Sequence, residues 1–182
     1  MNLESLLEGC IKNDRKAQEM LYQAYAPKMM TVCLRYADSQ FEAEEIMQVG
    51  FIKVFKRISS FTGKGSFEGW VRRIIVNTAI EACKKQTFIT SIDTLDNEGQ
   101  LSLQTIDSDR ATVTELMEMI RELPAGYRLV FNMYSIEGFS HKEIAERLNI
   151  TEGASKSQLS RARSRLQQKM KIIERELHGI KS

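Results

Sequence analysis

Residues 140–166 read Ser140-His-Lys-Glu-Ile-Ala-Glu-Arg-Leu-Asn149-Ile-Thr-Glu-Gly-Ala-Ser-Lys-Ser-Gln-Leu-Ser-Arg-Ala-Arg-Ser-Arg-Leu166, two helical patterns separated by a short turn. Ser140 followed three residues later by Glu143 is a capping box, which satisfies the orphan amides that open a helix. Ala145 is small where two helices must approach closely. Asn149 stands at the turn, and Asn is the best substitute for Gly in a left-handed backbone position. Thr151 then caps a second helix. Cap, turn and small residue together spell a helix-turn-helix, whose second helix enters the DNA major groove. No stretch of the chain shows sustained period-two alternation with turns, so the expected fold is all-α.

The second helix separates its faces. Leu159, Ala162 and Leu166 fall at i, i+3 and i+7, an apolar stripe expected to pack on Ile144 and Leu148. Lys156, Arg161, Arg163 and Arg165 point largely elsewhere, with Ser155, Ser157, Gln158 and Ser160 among them. Arg and Gln suit bidentate contacts to base edges, while Lys and Ser suit phosphates. A solvated basic helix closing a bundle is the competing reading. The helix-turn-helix signals favour DNA binding.

A chain of 182 residues holds one large domain or two small ones. No run approaches the ~18 consecutive apolar residues of a membrane span, and the start does not resemble a signal peptide. Cys10, Cys33 and Cys83 are an odd number, far apart, each inside a helical pattern. They fit free thiols of a reducing cytoplasm better than a disulfide or a metal site. His141 and His178 have no ligand-spaced neighbours. A soluble cytoplasmic protein without metal or cofactor is expected, and no constellation suggests an enzyme.

The net charge of +2 hides its distribution. Residues 1–87 carry net +3, residues 88–127 net −6 and residues 128–182 net +5. Two mildly basic modules therefore flank an acidic connector. The stretch 87–110 is rich in Ser, Thr, Asp and Gln without helical period and reads as a flexible linker. This gives domains at 1–87 and 111–182 joined by a linker at 88–110. Before the linker, helices are expected at about 3–12, 14–36 (interrupted at Pro27), 39–59 and 66–86. After it they are expected at about 112–122 and 125–137, followed by the helix-turn-helix, whose last helix runs to about 178. Thr112 with Glu115 is a second capping box, Leu123-Pro124 breaks the chain, and Gly138 stands where a helix should stop. Leu166, Met170, Ile173 and Leu177, near heptad spacing, are expected to pack within their own domain.

In segment 39–59, Phe41, Ala43, Ile46, Ile52, Phe55 and Ser59 suggest an inward face, opposite the polar cluster Glu42, Glu44, Glu45 and Gln48. Without a histidine or nucleophile in reach, that cluster is a solvated face or a docking surface for a basic partner. Next comes Ser59-Ser60-Phe61-Thr62-Gly63-Lys64-Gly65-Ser66-Phe67-Glu68-Gly69-Trp70. A basic glycine loop bracketed by aromatics is how proteins hold a splayed-out base. The helix that follows presents Arg72, Arg73, Asn77, Lys84 and Lys85 toward a phosphate backbone. Equally, Phe61, Phe67 and Trp70 are core residues beneath a turn.

Here a family resemblance enters. Phe41-Glu-Ala-Glu-Glu-Ile-Met-Gln-Val-Gly-Phe-Ile-Lys-Val-Phe55, then Phe61-x-Gly-x-Gly-Ser-Phe-x-x-Trp-x-x-Arg-Ile-x-x-Asn77, resembles conserved region two of bacterial sigma factors. Leu123-Pro-x-x-x-Arg128, then Gly138-Phe-Ser-x-x-Glu-Ile-Ala and the helix-turn-helix, resembles their region four. Nothing corresponds to regions one or three, so the chain is similar to the compact extracytoplasmic-function class. The family usually has Asp-Ala-Glu-Asp, with an acidic residue after the glutamine. This chain has Glu-Ala-Glu-Glu with Val49-Gly50, and Gly50 costs about 1 kcal/mol relative to Ala in a helix interior.

The resemblance implies a sigma factor that binds core RNA polymerase (β′ and β subunits) and promoter DNA. It assigns the polymerase contact to Glu44, Glu45, Gln48 and Phe51. Capture of a flipped base of the minus-ten element falls to the loop and the following helix, at Phe61, Lys64, Ser66, Trp70, Arg73 and Asn77. Reading of the minus-thirty-five element falls to Ser155, Lys156, Gln158, Arg161 and Arg163. It implies an anti-sigma factor as regulator, and a linker that threads polymerase channels otherwise occupied by RNA. The alternative is a free-standing helix-turn-helix regulator with an N-terminal sensing or dimerisation domain.

Overall fold

The structure is a computed structural model that describes residues 2–90 and 113–179, with side chains over 2–84 and 115–173. The chain divides into two compact units, Met1–Cys83 and Lys84–Ser182. Among the described residues every regular element is a helix. The expected all-α, two-domain class is what the chain adopts.

The first unit contains α1 (Leu3–Ile11), α2 (Arg15–Leu34), α3 (Gln40–Arg57), a 3₁₀ turn (Ile58–Ser60) and, as far as Cys83, α4 (Phe67–Thr90). Each helix opens on a polar cap. Asn2 accepts from the Ser5 amide, Asp14 from Lys16, Ser39 from Glu42 and Ser66 from Gly69. These bonds satisfy amides that the helix itself leaves unpaired. Glu42 adds a return bond to the Asp38 amide at 2.7 Å. The expected interruption at Pro27 is absent, and α2 runs straight through it. Both Pro27 and Gln23, whose carbonyl loses its amide partner, are exposed, so the unpaired carbonyl is not buried away from solvent.

Leu21, Met29 and Cys33 of α2, Ala43, Ile46 and Val54 of α3, and Val71, Ile75 and Ala79 of α4 form the core of this unit. Tyr22 meets Phe51 edge-on at 4.7 Å, and Tyr25 meets Phe67 at 5.4 Å. A Cβ on Gly50 would strike Ile75 Cδ1. The helix-propensity cost of Gly50 is thus offset by close approach of α3 to α4. All three cysteines are free and buried. Burial pushes the Cys33 thiol up to about 12, and burial together with Asp14 raises Cys10. Neither thiol is a nucleophile at neutral pH.

The second unit contains α5 (Val113–Arg121), α6 (Ala125–Phe131), a π-turn (Asn132–Ile136), α7 (His141–Leu148) and α8 (Glu152–Gly179). Pro124 stands at the start of α6, and Gly138, at φ +77°, turns the chain after the π-turn. Arg128 is buried, and its Nη1 donates to the Arg121 carbonyl at 2.6 Å, closing the C-terminal end of α5. Ala162 and Leu166 do not rest on Ile144 and Leu148 as expected. They join Met119, Ile120 and Leu123 in a cluster that Ile173 also borders. Of the heptad residues, Met170 is exposed.

Helix α4 continues to Thr90, so residues 87–90, expected to begin the linker, are helical. The remainder of the expected linker and the Thr112 cap lie outside the described residues. No described helix is long and apolar enough to cross a membrane.

Candidate nucleic-acid interface

The helix-turn-helix forms through the local bonds its sequence announces. The Ser140 hydroxyl accepts from the Glu143 amide at 3.2 Å, and Glu143 Oε2 accepts from the Ser140 amide at 2.8 Å. Bonds from the Ser140 amide and hydroxyl hold the Glu143 carboxyl below its ordinary range. Asn149 takes φ 57° and ψ 47°, the left-handed conformation that turns the chain out of α7. Thr151 Oγ1 then accepts from the Ala154 amide at 3.1 Å and opens α8.

Along α8, Lys156, Arg161 and Arg163 are exposed, and Gln158 is half-buried near Gly126. Arg161 donates to the Tyr127 hydroxyl at 3.3 Å, and the Arg165 guanidinium lies 5.7 Å from the Tyr127 ring centroid. Ser155 is different. It is fully buried, and its hydroxyl pairs with His141 Nδ1 at 2.9 Å. The expectation that Ser155 meets DNA is corrected: it joins α8 to α7. Sequence reading names Ser157 and Ser160 but passes over Gly153 and Ser164; all four are exposed and spaced i, i+4, i+7 and i+11. They form the outward line of α8, opposite Ser155, Leu159, Ala162 and Leu166. Counting turns back from the buried stripe locates them.

In the first unit, Thr62 through Ser66 form an exposed loop. Gly63 and Gly65 have φ +74° and +84°, values that side-chain-bearing residues rarely adopt, with nothing within 4 Å of either Cβ position. Beneath the loop, Phe61, Phe67 and Trp70 pack at 5.1, 5.7 and 5.5 Å between ring centroids. Phe67 is buried, whereas Phe61 and Trp70 are half-buried and keep an open side. The aromatics thus serve as core and as an exposed floor. Lys64 is at the exposed tip, while Ser66 spends its hydroxyl capping α4. Trp70, Arg73 and Asn77 share one face of α4 at i, i+3 and i+7. Arg73 is exposed and Asn77 half-buried.

Helix α3 departs from its expected faces. Ala43 and Ile46 point inward as read, but Phe41 and Ile52 are 70% and 53% exposed, and Val49 is 47% exposed. Together with Glu45 and Gln48 they line one outer face, while Glu44 is half-buried and accepts from Gln40 at 3.0 Å. Phe51, expected to contact a partner, is buried against Tyr22 and belongs to the core. Standing two residues after Val49, it falls about 160° around the helix from it, on the side that faces the core.

Both units match family models of one class. Sigma-70 region 2 matches residues 21–89, and Sigma-70 region 4 matches residues 114–166. The chain belongs to the sigma-70 family, in its extracytoplasmic-function class, whose members direct transcription initiation. The RNA polymerase sigma-H factor of Pseudomonas aeruginosa is 26% identical over 185 residues, covering 95% of this chain and 96% of that protein. The ECF RNA polymerase sigma-E factor of Escherichia coli K12 is 28% identical over 180 residues, covering 92% and 94%. Among solved structures, the sigma factor RpoE of Bartonella quintana, in complex with the anti-sigma factor NepR, aligns with a TM-score of 0.49. That alignment has 19% identity and covers 85% of this chain and 96% of the other.

Proposed function

We propose that the chain is a dissociable, cytoplasmic promoter-specificity subunit with no catalytic chemistry of its own. It docks on core RNA polymerase through the outer face of α3, with Glu44, Glu45 and Gln48 as the polar contacts. Helix α8 engages the minus-thirty-five element through Lys156, Gln158, Arg161 and Arg163. The 61–66 loop, backed by Trp70, Arg73 and Asn77, traps an unstacked base of the minus-ten element during opening. Unstacking costs a few kcal/mol, and stacking on an aromatic returns about 1–3 kcal/mol per base.

The observation that carries this reading is the open glycine loop on the Phe61–Phe67–Trp70 floor. A sensing or dimerisation domain has no use for a half-exposed aromatic floor under a cationic loop. The exposed Phe41, Val49 and Ile52 on α3 give an anti-sigma factor an apolar face to cover, which would block polymerase assembly.

The test is assembly with core RNA polymerase followed by initiation on genomic fragments that core alone ignores. New initiation is expected, with Gln48→Ala or Glu45→Lys weakening assembly about tenfold while leaving the helical signal intact. Failure to bind polymerase, together with dimeric binding to a palindromic duplex, would replace this reading with a free-standing regulator.

A further inference from the structure

Three observations meet on the flank of α8 that carries Arg163. The π-turn Asn132–Ile136 interrupts the helical ladder after α6, and such turns occur preferentially at functional positions. It carries Tyr134 to the surface, where the ring stacks on the His141 imidazole, with centroids 4.5 Å apart and planes at 22°. His141 is fixed in turn by its 2.9 Å bond to the buried Ser155 hydroxyl of α8. Finally, the exposed Arg163 guanidinium lies over the Tyr134 ring, 5.6 Å from its centroid. Ser155, His141, Tyr134 and Arg163 thus form one continuous assembly drawn from three elements.

That assembly has a chemical consequence. A guanidinium resting on a ring face keeps its N–H donors for an oxyanion, and the ring restricts the rotamers that binding must otherwise freeze. Arg163 stands about 100° around the helix axis from Ser164 and the outward serine line. When the serine line faces the groove floor, a side chain at that angle meets the groove wall, where the phosphates are. Lys142 and Lys156, each adjacent in sequence to a member of the assembly, are exposed. Of the nearby carboxylates, Glu143 is engaged by Ser140, and Glu152 is exposed in the first turn of α8.

We infer that Tyr134, His141 and Arg163 form a phosphate-binding shoulder beside the helix-turn-helix. Arg163 contacts the DNA backbone and reads no base, and Tyr134 and His141 are its positioning residues. This rests on the helix-turn-helix reading above and assigns its contacts more narrowly.

The test uses the full chain assembled with core polymerase, a duplex selected by that holoenzyme from a random pool, and a scrambled duplex of equal length. Arg163→Ala is expected to weaken binding to both duplexes by the same factor, about three- to tenfold at low salt. It should also flatten the slope of log K against log salt by about 1. Tyr134→Ala should reproduce part of that loss, Tyr134→Phe should restore it, and Tyr134→Ala should add nothing once Arg163 is gone. A lowered thermal midpoint with an unchanged salt slope overturns the inference, because the stack is then packing alone. Loss confined to the selected duplex also overturns it, because Arg163 is then reading a base. If Lys156→Ala weakens binding while the Arg163 and Tyr134 variants do not, the shoulder fails and the helix-turn-helix reading stands. If neither duplex is held through the second unit, both fail.

Discussion

The 61–66 loop and the helix-turn-helix face the same ligand class with opposite construction. In the helix-turn-helix, each change of direction is pinned: Ser140 and Glu143 by reciprocal bonds, Asn149 by its left-handed backbone, Thr151 by its cap. The loop has positive φ at Gly63 and Gly65 and no neighbour near either Cβ position, with the Phe61 amide bonded to the Ile58 carbonyl at its start and the Ser66 cap at its end. A duplex groove exists before the protein arrives, so a rigid reader loses little entropy on meeting it. A base to be trapped must first leave its stack, and a loop with backbone latitude can close on it afterwards. The molecule places rigidity where the target is preformed and latitude where the target is made.

The strongest way to break that comparison is through the cores beneath the two regions. Ile144 is fully buried in α7, and Ile144→Ala is expected to cost about 2–5 kcal/mol in urea denaturation, with loss of duplex binding. Gly50→Val should cost about 2–3 kcal/mol, because the new side chain must displace the buried Ile75. If Gly50→Val is tolerated, Ile75 has somewhere to go, and the close approach of α3 to α4 is not what selects glycine there.

A smaller pair of changes sharpens the contrast between the regions themselves. Thr151→Ala removes one cap and should cost about 1 kcal/mol. Gly65→Ala imposes left-handed strain of about 1–2 kcal/mol but meets no neighbour, so the loop can relax by changing shape. The two should therefore be similar in stability and different in function. Thr151→Ala should weaken duplex binding in step with stability, whereas Gly65→Ala should slow promoter opening by more than its stability loss explains. Permanganate footprinting of the opened strand measures the second. Equal effects on opening would mean that the loop acts only as a turn.

These two regions also differ in how far the sequence discloses them. A cap is a bond between residues two to four positions apart, so Ser140, Glu143, Asn149 and Thr151 carry their own instructions. Helix α3 does not, because apolar residues occur all round it. Which of Phe41, Val49, Phe51 and Ile52 turns inward depends on α2 and α4, whose positions no local pattern contains. Ser155 misleads for the same reason. Its hydroxyl suggests a contact to DNA, and its actual partner, His141, is fourteen residues away. The π-turn that lifts Tyr134 into its stack has no sequence signal of the kind that marks a cap. The outward serine line was legible in principle, since it follows from the buried stripe once the faces of α8 are counted.

The smallest expected effect tests whether the capping box acts through charge. The Glu143 carboxyl is held below its ordinary value of 4.5 by the Ser140 amide and hydroxyl, with Arg147 adding a minor attraction. A carboxyl depressed on folding contributes stability that is fully present above its unfolded value and is lost as pH falls through its folded value. At neutral pH, Glu143→Gln should therefore lower the thermal midpoint followed by circular dichroism. As pH falls below 4.5 the gap between variant and parent should narrow, and it should close once the parent carboxyl is itself protonated. A gap that stays constant through that range would mean that Glu143 serves α7 through its shape and bonding geometry alone. The 61–66 loop contains no carboxylate, so whatever acid does to the entry of α7 has no counterpart within it.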